Sequence, residues 1–419
     1  MTVHWWDLFL IALWALWGTQ ATLSMLQVRK FRRHLRRSDR PGFNEFRPPA
    51  VVIVPFKGID HEAVANLHGL FKQDYPQYRL ILVVESEDDP AYGFLRSELT
   101  KLDGVPVNLI VAGEAADDTG QKVHNLLAAL SHLESTRDTE AHPDEVWAFA
   151  DSDAVPHARW LGDLVGPLVQ DDLTAVTTGY RWMVPARGPV SHFKLGSRFA
   201  SVINSSIACF AAHDKFSFAW GGSMAMLART AREGDLHGHW RGALSDDFQV
   251  TLMARKLGRR IYYLPECIVE SPIDMRFADL AEFARRQYLI TRVHSPAIYY
   301  KGTLVVLLYL LATLAAWSAA TSGIALQNWV LAVPAGLTVV YVAVLNQIRA
   351  GYRRQAIREL FGSGTYQRLH SALLLDRFGT TAVFAVNAAL LLSAITGNTI
   401  AWRGKRYRMD GPNQVARLA

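Results

Sequence analysis

The feature that most constrains this chain is the run Gly302–Ala320, which carries no charge and is apolar on every side. A helix this uniform has no single stripe to bury against a soluble core, and its length is near the roughly 20 residues that cross a bilayer. Trp329–Leu345 and Phe378–Trp402 are also free of charge, and Trp5–Leu26 is broken only by Asp7 and a few small polar residues. Phe378–Trp402 is the least uniform, with Asn387, Thr396, Gly397, Asn398 and Thr399 inside it. Hydrophobic residues make up 50% of the 419 and charged residues 20%. That balance excludes both an ordinary soluble enzyme and a transporter built wholly of membrane helices.

The first stretch is not expected to be a cleaved signal, because no basic segment precedes it and the positive charges follow it. They are Arg29, Lys30, Arg32, Arg33, Arg36, Arg37 and Arg40, set against Asp39 alone. The positive-inside rule puts this basic segment in the cytoplasm, where it also attracts anionic head groups. A nucleic-acid-binding arm is the rival reading; the adjacent membrane span and the modest net charge of +6 argue against it. The two cysteines, Cys209 and Cys267, lack metal-ligand spacing and read as reduced, packed thiols.

Between Pro48 and Pro296 strand-like and helix-like segments alternate. Ala50–Pro55, Tyr78–Glu85, Val107–Ala112 and Val146–Ala150 are strand-like apolar runs. Asp60–Gln73 is a helix with Asp60 as its N-cap and Val64, Leu67, Leu70 and Phe71 on one face. Lys122–His132 is a second helix, with Val123, Leu126, Leu127 and Leu130 inward. Such alternation predicts a mostly parallel sheet covered on both faces, whose ligands bind at the carboxyl ends of the strands. Two acidic clusters fall at such ends: Glu85-Ser86-Glu87-Asp88-Asp89 and Asp151-Ser152-Asp153. Loops are expected at Ala115–Gly120 and Glu134–Glu145.

Four elements recur in order: the first acidic cluster, Lys122 near a helix start, the Asp151-x-Asp153 pair, and Ser245-Asp246-Asp247 after Trp220-Gly221-Gly222-Ser223. A basic helix with Arg285, Arg286 and Arg292 follows just before the membrane. Each has a bland reading: surface acids, a solvated lysine, a helix cap, interfacial anchors. Together they suit transfer from a nucleotide diphosphate donor. A carboxylate of the first cluster holds the base or ribose. A divalent cation on the D-x-D pair neutralises the leaving diphosphate. A lone carboxylate takes the proton of an attacking hydroxyl, and cations stabilise the developing charge.

The residues Pro55-Phe56-Lys57-Gly58, Gln73-Asp74-Tyr75-Pro76, Asp88-Asp89-Pro90-Ala91, Lys122-Val123-His124-Asn125, Asp151-Ser152-Asp153, Gly222-Ser223, Asp246-Asp247 and Trp402-Arg403-Gly404-Lys405-Arg406-Tyr407 carry a resemblance. The chain resembles the inverting, GT-A-fold, family-2-type glycosyltransferases, and is most similar to their ceramide glucosyltransferase-like branch. The resemblance implies an α/β GT-A domain, Rossmann-like with a mixed, mostly parallel sheet, flanked by N- and C-terminal transmembrane helices. It also implies a UDP-sugar donor and a divalent metal, Mn2+ or Mg2+. Asp153 matches the metal-binding aspartate, with Asp151 beside it on donor or metal. Asp247 matches the catalytic base, Asp246 stands for the Glu of the family's Glu-Asp pair, and Lys122 matches the basic residue on the donor side. The family's aspartate after Glu85 is Ser86 here, so the first carboxylate is Glu85, Glu87 or Asp88. Arg286 matches the start of the family's (Gln/Arg)-x-x-Arg-Trp motif, but Leu289-Ile290 replace Arg-Trp.

The expected organisation is a membrane anchor at 1–28, a basic juxtamembrane segment at 29–47, the GT-A domain at 48–296, membrane helices at 297–402 and a basic tail at 403–419. The expected activity moves a sugar of glucose or N-acetylhexosamine type to a lipid hydroxyl, ceramide-like, hopanoid or another glycolipid acceptor, at the cytoplasmic membrane face. A polysaccharide synthase is disfavoured by the few spans and the missing Arg-Trp. An inactive envelope scaffold is disfavoured because every acidic cluster is present. One N-terminal and three C-terminal spans would put Arg403–Arg408 outside, against the charge rule, so Phe378–Trp402 is expected to be re-entrant or interfacial.

Overall fold

The computed structural model describes residues 5–35, 47–135, 144–188, 190–211 and 217–418. Arg36, Arg37 and Arg40 of the basic run, and most of the loop expected at Glu134–Glu145, lie outside them. The chain divides into two compact units, one holding residues 1–36, 192–209 and 275–396, the other 37–191, 210–274 and 397–419.

The first unit is helical. Trp5–Leu35, Pro296–Ala325 and Trp329–Arg368 are long and apolar enough to cross a membrane. Leu13, Trp14, Trp17 and Ala21 of the first pack in one cluster with Tyr309, Ala312, Ala316, Ala319 and Ala335. The small residues let the helices approach closely where hydrophobic exclusion of water gives no help. Tyr309 stacks on Phe384 at 3.7 Å and meets Trp17 edge-on at 5.8 Å. Leu304, Leu311, Leu314, Trp317, Val330 and Leu337 turn outward, as lipid-facing residues do. A second part of the unit binds charge in its interior: Arg353 Nη1 lies 2.6 Å and Arg349 Nη2 3.5 Å from Asp376 Oδ1.

The apolar stretch Phe378–Trp402 is not one helix. His370–Phe378 and Thr380–Ser393 meet at 95° about Gly379. The polar residues Thr396-Gly397-Asn398 then end the helical part, with Gly397 at φ 76, and Thr399–Trp402 is a strand of the other unit.

The second unit is an α/β domain. Its strands are β1 Ala50–Pro55, β2 Tyr78–Val84, β3 Val107–Val111, β4 Val146–Ala150, β5 Thr174–Thr178, β6 Arg181–Pro185, β7 Ser223–Leu227, β8 Arg260–Tyr263 and β9 Val269–Ile273, then β10 Thr399–Trp402, β11 Lys405–Gly411 and β12 Gln414–Leu418. Seven form one sheet in the order β3-β2-β1-β4-β7-β5-β8. It is mixed and mostly parallel: β7 alone runs against its neighbours β4 and β5. Both faces are covered. Val51 and Ile53 pack with Val123, Leu126 and Leu130 of helix Gln121–Ser135, while Val52 and Val54, facing the other way, are equally buried. This explains why β1 and β4 read as unbroken apolar runs.

Two local readings are corrected. Asp60 is not the N-cap of its helix, which starts at Ala63 with Glu62 at the cap in the left-handed region, φ 58. Val64 is exposed, because that short helix buries Ala63, Asn66, Leu67 and Leu70 instead. Neither Cys209 nor Cys267 forms a disulfide, and both are buried, as expected of packed thiols.

The order of β2, β1 and β4 puts a topological switch beside β1. The chain goes from β1 to β2 on one side and comes back to β4 on the other. The crevice past the carboxyl ends of these strands is where ligands of such sheets bind.

Candidate active site

Each strand that meets at this crevice delivers charge as it ends. After β1 come Lys57 and Asp60, after β2 comes Glu85, and after β4 comes Asp151-Ser152-Asp153. The last is a tight turn, with Ala154 N donating to Asp151 O at 3.1 Å. Its middle residue is the anchor: Asn66 Nδ2 donates to Ser152 O at 2.8 Å, and Ser152 Oγ donates to Asp60 Oδ2 at 2.6 Å. Both flanking carboxylates are thereby left for other work.

Lys122, in the first turn of helix Gln121–Ser135, joins two parts of the site. Its Nζ lies 2.7 Å from Asp151 Oδ1 and 3.1 Å from Asp246 Oδ2. Burial pulls its pKa down, but the charges of Asp151 and Asp246 outweigh this and leave it above the ordinary lysine value. Asp246 is buried, and its carboxyl is pushed up to about 6 by burial against the pull of Lys122. Gly221 and Gly222 make room here. A Cβ on Gly221 would lie 1.9 Å from Asp246 Oδ2, and one on Gly222 2.6 Å from Asp151 Oδ2.

Helix Asp246–Lys256 is capped by Ser245, whose side chain accepts from Phe248 N. The acidic pair is thus in the first turn, one residue past the cap, where the helix dipole favours negative charge. Asp247 is only partly buried. Its Oδ1 accepts from Ser245 Oγ and from Phe248 N, the latter at 2.8 Å, which leaves Oδ2 outside those two bonds.

Asp153 Oδ2 accepts from Ser271 Oγ at 3.2 Å. Loss of solvent and then the charge of Asp151 push its carboxyl up to about 6. A buried carboxyl raised by a neighbouring carboxylate marks a place short of positive charge. Among the described residues no group of three or more His, Cys, Asp or Glu side chains is placed to hold a metal.

The first acidic cluster splits. Glu85 is buried and receives Lys57 Nζ on Oε2 at 2.6 Å and Lys405 Nζ on Oε1. Burial pushes it up, but the two lysines hold it below the ordinary glutamate value. Asp89 is buried as the N-cap of helix Pro90–Leu99 and accepts from Ala91 N and Gly58 N. Glu87 accepts from Tyr92 Oη at the surface. Asp88 is exposed and makes no ion pair with the cluster among the described residues. Arg286 belongs to the helical unit, on helix Phe277–His294, with its guanidinium 5.3 Å from the Phe283 ring centre.

The local sequence pattern missed Asp60, Lys57, Arg403 and Lys405. Arg403 Nη2 lies 2.6 Å from Asp60 Oδ1. The segment was read only as part of the family resemblance and as a basic tail, and nothing local pointed to these partners.

An α/β sheet ending in a D-x-D turn, lysine-linked to a carboxylate pair at a helix start, on a chain with membrane-crossing helices, places this molecule among the membrane-bound glycosyltransferases. The chain belongs to glycosyl transferase family 21, whose profile it matches over residues 8–415. A 91-residue stretch is 34% identical to the ceramide glucosyltransferase of Komagataella phaffii, covering 20% of this chain and 18% of that protein. Among solved structures it is similar to a mannosyltransferase from Pyrobaculum calidifontis in complex with GDP-Man and Mn2+, with 16% identity, TM-score 0.46 and coverage of 88% of this chain and 99% of that one. It is also similar to glucosyl-3-phosphoglycerate synthase from Mycobacterium tuberculosis, with 15% identity, TM-score 0.36 and coverage of 59% and 80%.

Proposed function

We propose that this ceramide glucosyltransferase-like enzyme transfers a sugar, of glucose or N-acetylhexosamine type, from a UDP-sugar to a lipid hydroxyl, with inversion, at the cytoplasmic face of the membrane. The observation that carries the reading is the linkage Asp151–Lys122–Asp246 at the strand ends, next to the more accessible Asp247.

In this mechanism Asp247 is the general base. Ser245 and Phe248 N hold its Oδ1, so Oδ2 takes the proton of the attacking lipid hydroxyl. The hydroxyl oxygen bonds to the anomeric carbon from the face opposite the leaving diphosphate, and this single displacement inverts the centre. Lys122 fixes Asp151 and Asp246 on either side of itself and carries positive charge toward the departing phosphates. Asp153 and Asp151 fit a divalent cation, because they repel one another, and because such ions can be held by one or two carboxylates with substrate phosphates completing the shell. A cation bound there would offset the charge of the leaving diphosphate. Arg286 is assigned to the same diphosphate, and Glu85 rather than Asp88 to the nucleoside end. The acceptor comes from the bilayer in which the flanking helices are anchored, which supplies proximity.

The test is UDP release by purified enzyme in liposomes, with and without crude lipid extract, followed by mass spectrometry of the lipid product. Release that depends on added lipid and yields a glycolipid supports the reading. Lipid-independent release with polymer formation would make the enzyme a polysaccharide synthase, and no release would leave a scaffold.

A further inference from the structure

The last strands of the chain lie over this crevice as part of the same unit. β10 and β11 are joined by the two-residue turn Arg403-Gly404, between the paired residues Trp402 and Lys405. Both turn residues have positive φ, 49 and 81, the geometry of a tight hairpin that favours Asn, Asp or Gly. An arginine in that conformation is unusual, which directs attention to what its side chain reaches.

It reaches Asp60, and Asp60 Oδ2 in turn accepts from Ser152, the residue between the two carboxylates of the D-x-D turn. Lys405 reaches Glu85, Gln121 Oε1 at 3.1 Å and Glu114 Oε1 at 3.3 Å. The tip of the hairpin therefore sets one cation at the end of β1, beside the switch point, and another at the end of β2. The sheet is tied down where this matters. Tyr407 Oη accepts from Gln121 N, beside Lys122, and Gln249 Nε2 of helix Asp246–Lys256 donates to Pro412 O at 3.0 Å. Along β11, Lys405, Tyr407 and Met409 turn inward while Arg406 and Arg408 are exposed.

We propose that this C-terminal hairpin is a working part of the donor site, with Arg403 and Lys405 receiving the diphosphate of the nucleotide donor and Asp60 and Glu85 holding the two cations in place beforehand. The inference rests on the nucleotide-donor reading above and adds to it the residues that meet the phosphates. Electrostatics support it. A diphosphate entering among Asp60, Glu85, Asp151 and Asp153 needs more positive charge than Lys122 alone supplies. Lys405 stands at the end of β2, and the Arg403 side chain, 48% exposed, is the most open of the three cations.

The experiment measures UDP and uridine affinity of the full chain in detergent with Mn2+ present. The variants are Arg403→Asn, which tolerates the left-handed turn, and Lys405→Met, which keeps the aliphatic stem. Arg406→Ala and Arg408→Ala remove the same charge from the outer face. Loss of a charged phosphate contact should weaken UDP binding about 10- to 100-fold in the first two variants, with uridine affinity and melting temperature held, and leave the outer-face variants unchanged. Unchanged UDP affinity in both inner variants overturns the hairpin's role, as does an equal loss for uridine and UDP. Wild-type protein that fails to bind UDP overturns the donor reading itself and takes this one with it.

Discussion

At the residue scale, the site is a small number of carboxylates in unequal surroundings, and the inequality assigns their work. Asp246 is enclosed and bonded to Lys122, which suits the orienting role proposed for it; Asp247 is reachable and keeps one oxygen outside its local bonds, which suits the proposed role of base. Asp247→Asn should lower kcat by about 10²- to 10⁴-fold, the usual cost of losing a general base, while UDP affinity is retained. If the variant loses donor binding instead, Asp247 is a donor ligand. Asp153→Ala should abolish both turnover and Mn2+ binding, the second read by the paramagnetic signal of free Mn2+; full activity in excess EDTA removes the metal from the scheme. Asp246 also yields a pH dependence. Its folded-state pKa of about 6 lies above the ordinary 3.8, so the folded chain holds this proton more firmly than the unfolded one. The associated stability is complete below about pH 4 and lost as pH rises through 6. Asp246→Asn cannot titrate and should flatten the melting-temperature profile between those limits; a profile parallel to wild type would mean Asp246 is ionised throughout.

At the element scale, legibility followed locality. β1 and β4 were legible because a parallel strand buried on both faces must be apolar at every position, and the D-x-D turn was legible because it directly follows one. Asp60 was misread because an aspartate before a helix is usually its cap. Its partner Arg403 is 343 positions away, beyond any local pattern. Phe378–Trp402 could not be resolved from composition, since an uncharged stretch does not reveal a right-angled bend or a change of unit. The basic helix Phe277–His294 was partly legible. Arg285 and Arg292, seven apart, do share a face, and that face bonds Thr396 O and Ile395 O just past helix Thr380–Ser393. They satisfy carbonyls near a helix end rather than standing free for lipid head groups. Arg285→Ala and Arg292→Ala should therefore lower stability by about 1 kcal/mol each, seen as a melting shift, with little change in kcat. Arg286→Ala should do the reverse. Equal, mild kcat effects from all three would remove Arg286 from the diphosphate.

At the scale of the whole molecule, the path of the chain constrains its topology. Residues 210–274 and 397–419 belong to one compact unit, so a membrane segment that joins them crosses the bilayer an even number of times. Pro296–Ala325 and Trp329–Arg368 are long and apolar enough for two crossings, and the 95° bend at Gly379 suits a segment that enters and leaves on the same side. The charge conflict then disappears, because the basic C-terminal strands share a side with the catalytic unit. With that unit cytoplasmic, an impermeant maleimide should label Gln327→Cys on intact cells and a cysteine added after Ala419 only after permeabilisation. Labelling of both from outside would refute the even count.

The C-terminal sheet has one more consequence, in time rather than space. Chains emerge from the ribosome N-terminus first, so β10, β11 and β12 appear only after the helices Trp5–Leu35, Pro296–Ala325 and Trp329–Arg368 have been made. Lys405 cannot meet Glu85, nor Arg403 meet Asp60, until the strands that carry them have emerged. A nascent chain still threading those helices therefore has its strand ends uncovered, and the crevice takes its final form only after β10 and β11 have left the ribosome.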